Sequence, residues 1–216
     1  MEEVDPILLN VAQEHINKGD IVWDIGANVG LFTFAAANLV EPTGKVLAIE
    51  PDTWLVSLLR KSSQLEENII RLHVDVLPVA ISDQVGIAKF NVAKRGRATN
   101  HLSDSTGSTQ TGGIREVHLV PTVSLDWLLD NYTAPSFIKI DVEGAEHLVL
   151  NGAKKLLSEI RPVIFCEVSS ENAEAVTNIL KKFNYTLFDA TANKNNRKSL
   201  QLATWNTLAY PLIHPV

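Results

Sequence analysis

The stretch Val22–Gly30 (Val-Trp-Asp-Ile-Gly-Ala-Asn-Val-Gly) is an apolar run that ends in a glycine-containing turn and leads into a helical pattern. A turn of this kind places backbone N–H groups and the positive end of a helix against a ligand. Dinucleotide-binding turns have the spacing Gly-x-Gly-x-x-Gly, whose second glycine lets a pyrophosphate approach the backbone. Here the spacing is Gly-x-x-x-Gly, and Asn28 stands near the position that the pyrophosphate would occupy. The turn therefore predicts a ligand site and argues against a pyrophosphate.

Two carboxylates extend this site. Asp24 lies beside the turn, where its charge repels a phosphate and attracts an ammonium or sulfonium group. A second apolar run, Lys45–Ile49, ends in Glu50, 20 positions after Gly30, a spacing from which a carboxylate can bind both ribose hydroxyls. Together the motif predicts a site for a nucleoside with a cationic tail. S-adenosylmethionine fits that description, and the stretch resembles its binding motif in class I methyltransferases.

A second motif lies downstream, where Ser136–Glu146 reads Ser-Phe-Ile-Lys-Ile-Asp-Val-Glu-Gly-Ala-Glu. With the segments Glu50-Pro51, Val79–Gly86, Val123–Asp126, Leu150–Ala153 and Arg161–Glu167, it resembles the FkbM family of methyltransferases. The resemblance covers roughly residues 18 to 188. The chain departs from the family pattern at Asn184, where glycine is usual, and in having only about one helix before its first strand.

The resemblance implies transfer of a methyl group from S-adenosylmethionine to a hydroxyl of a sugar, a polyketide or a related small metabolite. Such a transfer is an in-line displacement, in which a protein group takes the hydroxyl proton. By resemblance Asp141 and Glu143 are the catalytic residues, one organising the methionine end of the cofactor and one near the acceptor oxygen, with the identity of the base left open. The expected cofactor-binding residues are Asp24, Gly26, Asn28, Gly30, Glu50, Pro51, Ala80, Ile81, Ser82 and Asp141.

Other acidic and reactive side chains have alternative interpretations. Asp141 and Glu167 occupy strand ends that supply magnesium ligands in catechol-type O-methyltransferases, and carboxylate oxygens suit that ion. The FkbM resemblance does not demand magnesium, so no metal ligand is predicted. Glu146 is expected to stabilise the start of a helix. Cys166 lies in an apolar strand, where burial should make its thiol inert.

Short apolar runs alternate with segments of helical spacing along the chain, which is typical of a parallel sheet covered by helices. We predict an α/β, Rossmann-like class I methyltransferase fold with a mostly parallel seven-stranded sheet, an antiparallel C-terminal hairpin and helices on both faces. The expected strands are Ile21–Ile25, Lys45–Ile49, Val74–Ile81, Phe137–Ile140, Pro162–Val168, Thr186–Asp189 and Leu202–Tyr210. The expected helices are Leu31–Val40, Trp54–Glu66, Glu146–Glu159 and Ser170–Phe183.

The chain has 216 residues with a formal net charge of −6, which indicates one domain over residues 1–216 and disfavours binding to nucleic acids or anionic membranes. Within that domain we expect an N-terminal helix in residues 1–18 and a substrate-side loop at Lys94–Glu116, which is rich in Gly, Ser and Thr. The N-terminus lacks the basic character of a signal peptide, no apolar stretch is long enough for a membrane span, and the single cysteine cannot form an intramolecular disulfide.

These properties predict a cytoplasmic enzyme whose partner is a small-molecule hydroxyl acceptor, and they leave the oligomeric state open. Two alternatives share parts of the pattern. An NAD-dependent oxidoreductase has the same strand, glycine turn and ribose-binding acid, although Asp24 and Asn28 argue against it. A non-catalytic cofactor-binding relative is the other alternative, suggested by the short N-terminus.

Overall fold

The computed structural model describes residues 5–65, 73–94, 100–103 and 112–212. The strands within this part of the chain are β1 (Ile21–Ile25), β2 (Lys45–Ile49), β3 (Val74–Leu77), β4 (Ala80–Ile81), β5 (Gly86–Ala93), β6 (His101–Leu102), β7 (Ile114–Val123), β8 (Phe137–Ile140), β9 (Val163–Glu167), β10 (Tyr185–Asp189) and β11 (Asn206–Pro211). Seven of them form the main sheet, in the order β10-β11-β9-β8-β1-β2-β3. All neighbours are parallel except β11, which runs antiparallel to both β9 and β10. The predicted sheet and its C-terminal hairpin are confirmed.

Helices cover both faces of this sheet. They are α1 (Pro6–His15), α2 (Leu31–Val40), α3 (Thr53–Ser63), α4 (Leu125–Asn131), α5 (Glu146–Asn151) and α6 (Ala173–Lys182). Successive strand residues point to opposite faces. Val22 of β1 therefore packs in a cluster with Phe32 of α2, whereas the next residue, Trp23, belongs to the opposite cluster with Val149 of α5 and Leu180 of α6. The predicted α/β class is confirmed. No helix in the described ranges has both the length and the apolar character needed to cross a membrane.

A second, smaller sheet differs from the expectation. It has the order β4-β7-β5-β6, and β5 and β7 form a long antiparallel pair. The prediction of one strand over Val74–Ile81 was wrong, because the chain breaks at Pro78 and the segment is divided between the two sheets as β3 and β4. The predicted loop Lys94–Glu116 was wrong at His101–Leu102 and from Ile114 onward, where pairing with β5 forms strands. Residues 95–99 and 104–111 of that loop lie outside the described residues.

Several element boundaries also shift. The predicted helix Glu146–Glu159 ends at Asn151, with Gly152 as its C-cap. A Cβ atom at Gly152 would lie 2.5 Å from the carbonyl oxygen of Ser82, so a larger residue would not fit at this C-cap. A π-helical turn, Leu156–Ile160, follows it. The predicted N-terminal helix is α1, whose N-cap Asp5 accepts a hydrogen bond from the N–H of Leu8.

Candidate active site

The turn after β1 is held between the ends of two neighbouring strands. The N–H groups of Gly26 and Ala27 both donate to the carbonyl oxygen of Ile49, at 3.0 and 3.1 Å. Gly26 has a φ of 77°, and a Cβ atom on it would lie 1.8 Å from the carbonyl oxygen of Asp141. Because a side chain would collide with that backbone, glycine is required here. The turn thereby brings the carboxyl ends of β1, β2 and β8 to one place.

Glu50 is the buried acid at the end of β2, with 5% of its surface exposed. Its Oε2 accepts a hydrogen bond from the N–H of Asn28 at 2.9 Å, and its Oε1 accepts one from the N–H of Asp52 at 2.8 Å. Burial raises the pKa of Glu50 to about 7, although these two backbone hydrogen bonds lower it. Each carboxylate oxygen can accept two hydrogen bonds, so each keeps one acceptor position for a ligand hydroxyl.

A cleft of about 570 Å³ opens at these strand ends, and we call it the apolar cleft. The predicted site residues that line it are Gly26, Asn28, Glu50, Pro51, Ala80, Ile81, Asp141 and Glu143. Phe90 and Leu102 of the second sheet also line the cleft, a contribution that was not predicted from the sequence. Asn100 extends the same wall and is tied to the N-cap of α3, because its Nδ2 donates to Asp52 at 2.9 Å.

Three predicted site residues do not line the apolar cleft. Asp24 is completely buried and accepts a hydrogen bond from the hydroxyl of Thr33 at 2.5 Å. Gly30, with a φ of 93°, is the N-cap of α2. Ser82 lies beyond β4, where its N–H donates to the carbonyl oxygen of Val123 and links β4 to β7. These three residues therefore lie around the apolar cleft and not in its lining.

Lys139 is a buried residue of the site that the sequence analysis overlooked. Its Nζ donates to the carbonyl oxygen of Gly26 at 2.9 Å and to Oδ2 of Asp141 at 3.3 Å, and it lies 3.4 Å from Oδ1 of Asp24. Burial alone lowers the pKa of Lys139, but the neighbouring carboxylates raise it above its ordinary value. A lysine inside the apolar run of β8 was the available signal, since a buried charge needs a partner.

The segment after β8 has an unusual backbone. Glu143 and Gly144 both have positive φ, at 50° and 93°. A non-glycine residue in this region is uncommon and is often found at functional sites. Glu146 fixes the segment, because its Oε1 accepts from the N–H of Gly144 at 2.8 Å and its Oε2 accepts from Nδ2 of Asn172 at 2.7 Å. Glu146 is thus a structural clamp, in line with its expected place at a helix start.

A second cleft of about 1230 Å³ lies on the other side of this segment, and we call it the acidic cleft. Its lining includes Asp141, Glu143, Gly144, Glu146, Glu167, Val168, Ser169, Ser170, Glu171, Ala173, Leu202, Ala203, Thr204 and Trp205. Burial raises the pKa of Glu143 to about 7, and the negative charges of Asp141 and Glu146 add to the increase. Burial likewise raises the pKa of Glu167 to about 8, with a further contribution from Asp141. In the described ranges, no three or more His, Cys, Asp or Glu side chains are grouped so as to hold a metal ion.

Comparison with known proteins identifies the family. Residues 24–187 match the sequence pattern of the family described as Methyltransferase FkbM domain. The chain belongs to the FkbM methyltransferase family. Among curated proteins, this FkbM methyltransferase is similar to the hexuronic acid methyltransferase AglP of Haloferax volcanii, with 27% identity over 187 residues that cover 84% of this chain and 68% of that protein.

Solved structures agree on the fold. An FkbM methyltransferase from Methylobacillus flagellatus superimposes with a TM-score of 0.52 and 16% identity, covering 94% of this chain and 50% of that one. A Streptococcus mutans protein described as a methyltransferase and solved with S-adenosylhomocysteine has a TM-score of 0.53 and 13% identity, covering 98% of this chain and 99% of that one. The chain is therefore an S-adenosylmethionine-dependent methyltransferase with the class I fold, which confirms the predicted family, fold and enzyme class.

Proposed function

We propose that this FkbM methyltransferase methylates a hydroxyl oxygen of a small, sugar-like metabolite, with the cofactor in the apolar cleft and the acceptor in the acidic cleft. The observation that carries the proposal is that the two clefts meet at Asp141 and Glu143, which line both. Methyl transfer is an in-line displacement, so the acceptor oxygen must reach the methyl carbon from the side opposite the donor sulfur, which requires the two binding sites to adjoin. The Haloferax volcanii relative is named for a hexuronic acid, which supports a sugar-like acceptor.

The residues of the apolar cleft fit the cofactor. Its lining is mostly apolar with a few polar groups, which is the usual composition of small-molecule sites. Glu50 has free acceptor positions for the two ribose hydroxyls, and the apolar side chains of Ile81 and Phe90 offer surfaces for the adenine. Asp141, at the opposite end, would hold the ammonium group of the methionine part. Asp24, Gly30 and Ser82 would support this site from behind.

Glu143 is the base in this proposal. When bound, the cofactor supplies an electrophilic methyl group on a positively charged sulfur. Glu143 accepts the proton of the acceptor hydroxyl as the oxygen–carbon bond forms and the carbon–sulfur bond breaks. The electron pair of the carbon–sulfur bond stays on sulfur. A pKa of about 7 suits a base that works near neutral pH. This proton transfer needs no metal ion, so magnesium is not part of the proposal.

We also infer a cytoplasmic setting for the enzyme from the free thiol of Cys166.

The turn after β1 disfavours the dinucleotide alternative. A pyrophosphate needs free backbone N–H groups at such a turn. Here the N–H groups of Gly26 and Ala27 donate to Ile49, and that of Asn28 donates to Glu50. Because these three donors already have acceptors within the protein, the turn suits a ligand that binds through hydroxyls and positive charge.

Calorimetry with S-adenosylhomocysteine tests the proposal. We expect the wild-type chain to bind it, and Glu50→Gln to bind it at least about tenfold more weakly, because one charged acceptor of the ribose hydroxyls is lost. Glu174→Gln, on the exposed part of α6, is the matched control and should bind like the wild type. The proposal fails if the folded wild-type chain does not bind the ligand, or if NAD stabilises it more against heat than S-adenosylhomocysteine does.

A further inference from the structure

The acidic cleft has a one-sided charge distribution. Carboxylates of Asp141, Glu143, Glu146, Glu167 and Glu171 line it, and its described lining contains no Lys, Arg or His. Lys139 lies below the cleft, but its ammonium group is already committed to neighbouring oxygen atoms. Any ligand that enters the cleft therefore meets a negative potential.

The cofactor and the internal hydrogen bonds account for only part of this negative charge. Glu146 is satisfied by Gly144 and Asn172. S-adenosylmethionine carries two positive groups and one carboxylate, so its net charge offsets about one of the remaining acids. Burial and neighbouring negative charges raise the pKa of Glu143 and Glu167 even though the charge of Lys139 lowers both, so a further cation beside them would be favourable. At least Glu167 and Glu171 then remain for the acceptor.

The lining of the acidic cleft also contains groups that suit a polar cation. Trp205 is 55% exposed there, and an indole ring is the best aromatic partner for a cation and also offers a flat face to a sugar ring. The hydroxyl oxygens of Ser169 and Thr204 are buried in the same lining and have no hydrogen-bond partner among the described residues. Buried hydroxyls without partners are unfavourable, so a ligand that drew them into a hydrogen bond would gain affinity.

We propose that the acceptor carries a protonated amine beside its hydroxyl groups, as an amino sugar does, and that Glu167, Glu171 and Trp205 select it against acidic sugars. This inference rests on the proposed function and deepens it. It also separates the chain from the Haloferax volcanii relative, whose name indicates an acidic sugar as substrate. A uronic acid would bring a carboxylate into a cleft that already holds several, where like charges repel.

Calorimetry with three sugars of one size tests the selection. The full chain, saturated with S-adenosylhomocysteine, is titrated separately with glucosamine, glucose and glucuronate. We expect glucosamine to bind about tenfold more tightly than glucose, and glucuronate to bind more weakly than glucose. Equal affinities, tighter binding of glucuronate, or no binding of glucosamine by the loaded protein would each overturn the inference while leaving the proposed function intact. Failure of S-adenosylhomocysteine to bind at all would instead refute the proposed function.

Matched variants locate the effect. Glu171→Gln should reduce the preference for glucosamine over glucose about threefold, because an exposed carboxylate contributes modestly to binding a cation. Glu174→Gln removes an equal charge outside the cleft lining and should leave the preference unchanged. Trp205→Ala should weaken the binding of glucosamine and glucose together, more strongly for glucosamine. If Glu174→Gln changes the preference as much as Glu171→Gln, the selection does not arise in the acidic cleft and the inference is wrong.

Discussion

The contact between Gly26 and Asp141 allows a sharp test of how the active site is assembled. In Gly26→Ala the new Cβ would lie 1.8 Å from the carbonyl oxygen of Asp141. An ordinary contact between carbon and oxygen is about 3.3 Å, so the ends of β1 and β8 would have to separate by about 1.5 Å. That movement strains the hydrogen bond of 3.0 Å between the N–H of Asp141 and the carbonyl oxygen of Ile25, and it displaces the wall of the apolar cleft.

The expected cost has two parts that a matched variant separates. Alanine in the left-handed region costs about 1–2 kcal/mol, and forcing atoms into a packed region costs about 1–3 kcal/mol more. Gly19→Ala has the first cost alone, because Gly19 has a φ of 87° but its Cβ would meet only the side chain of Thr43, at 3.7 Å. The entropy that alanine removes from the unfolded chain is similar in both variants and cancels in the comparison.

Denaturant unfolding, followed by tryptophan fluorescence, measures both free energies of unfolding, and calorimetry measures the affinity for S-adenosylhomocysteine. We expect Gly26→Ala to lose about 2–5 kcal/mol and at least about tenfold in affinity, and Gly19→Ala to lose about 1–2 kcal/mol with unchanged affinity. The reasoning is refuted if the two variants have equal unfolding free energies, or if Gly26→Ala binds the ligand like the wild type.

Substitutions at three further positions test the other parts of the site. Glu143→Gln should reduce kcat at least about a hundredfold. The kcat of the wild type should rise with pH through a midpoint at or below about 7, and the variant should lack this rise. Both are measured with radiolabelled cofactor. The folded state holds the proton of the Glu143 carboxyl more strongly than the unfolded chain does, so the stability of the wild type falls as pH rises from about 4.5 to 7. Glu143→Gln cannot lose such a proton. It should therefore unfold less readily than the wild type at pH 8 but not at pH 4. Lys139→Met leaves the buried carboxylate of Asp24 without its cation and should cost about 3–5 kcal/mol in denaturant unfolding; a loss below 1 kcal/mol would contradict this role. Asn172→Leu removes the amide that donates to Glu146 and should lower the free energy of unfolding by about 2 kcal/mol. Asn172→Asp should not recover this stability, because it places a second carboxylate beside Glu146.

The main sheet was predictable because its signals are local. The strands β1, β2 and β8 have the predicted bounds, since each is a short apolar run that helices bury on both faces. Glu50 follows β2 directly, and Asp141 follows β8. Parallel strands place their carboxyl ends at one edge, so residues far apart in the chain could be assigned to one site before their distances were known.

The second sheet was not predictable in the same way. The pairing of β5 with β7 joins segments about thirty residues apart, and the periodicity within either strand does not predict which strand it pairs with. Val74–Ile81 shows the same limit, because its apolar pattern continues across Pro78 while the chain passes from one sheet to the other. The consequence reaches the site, since Phe90 and Leu102 of this sheet complete the wall of the apolar cleft.

Asp24 does interact with a positive charge, as its position predicts, but the charge belongs to the protein itself. A carboxylate beside the turn was expected to attract a cation, and the cation in the structure is Lys139 of the same chain. Lys139 also binds the carbonyl oxygen of Gly26 and one oxygen of Asp141, so a single buried ammonium group joins the turn, β1 and β8. The negative charge of Asp24 is therefore balanced within the protein by Lys139. In the proposed function, the positive groups of the cofactor then face the partly exposed Asp141 and Glu143, the two acids at which the apolar and acidic clefts meet.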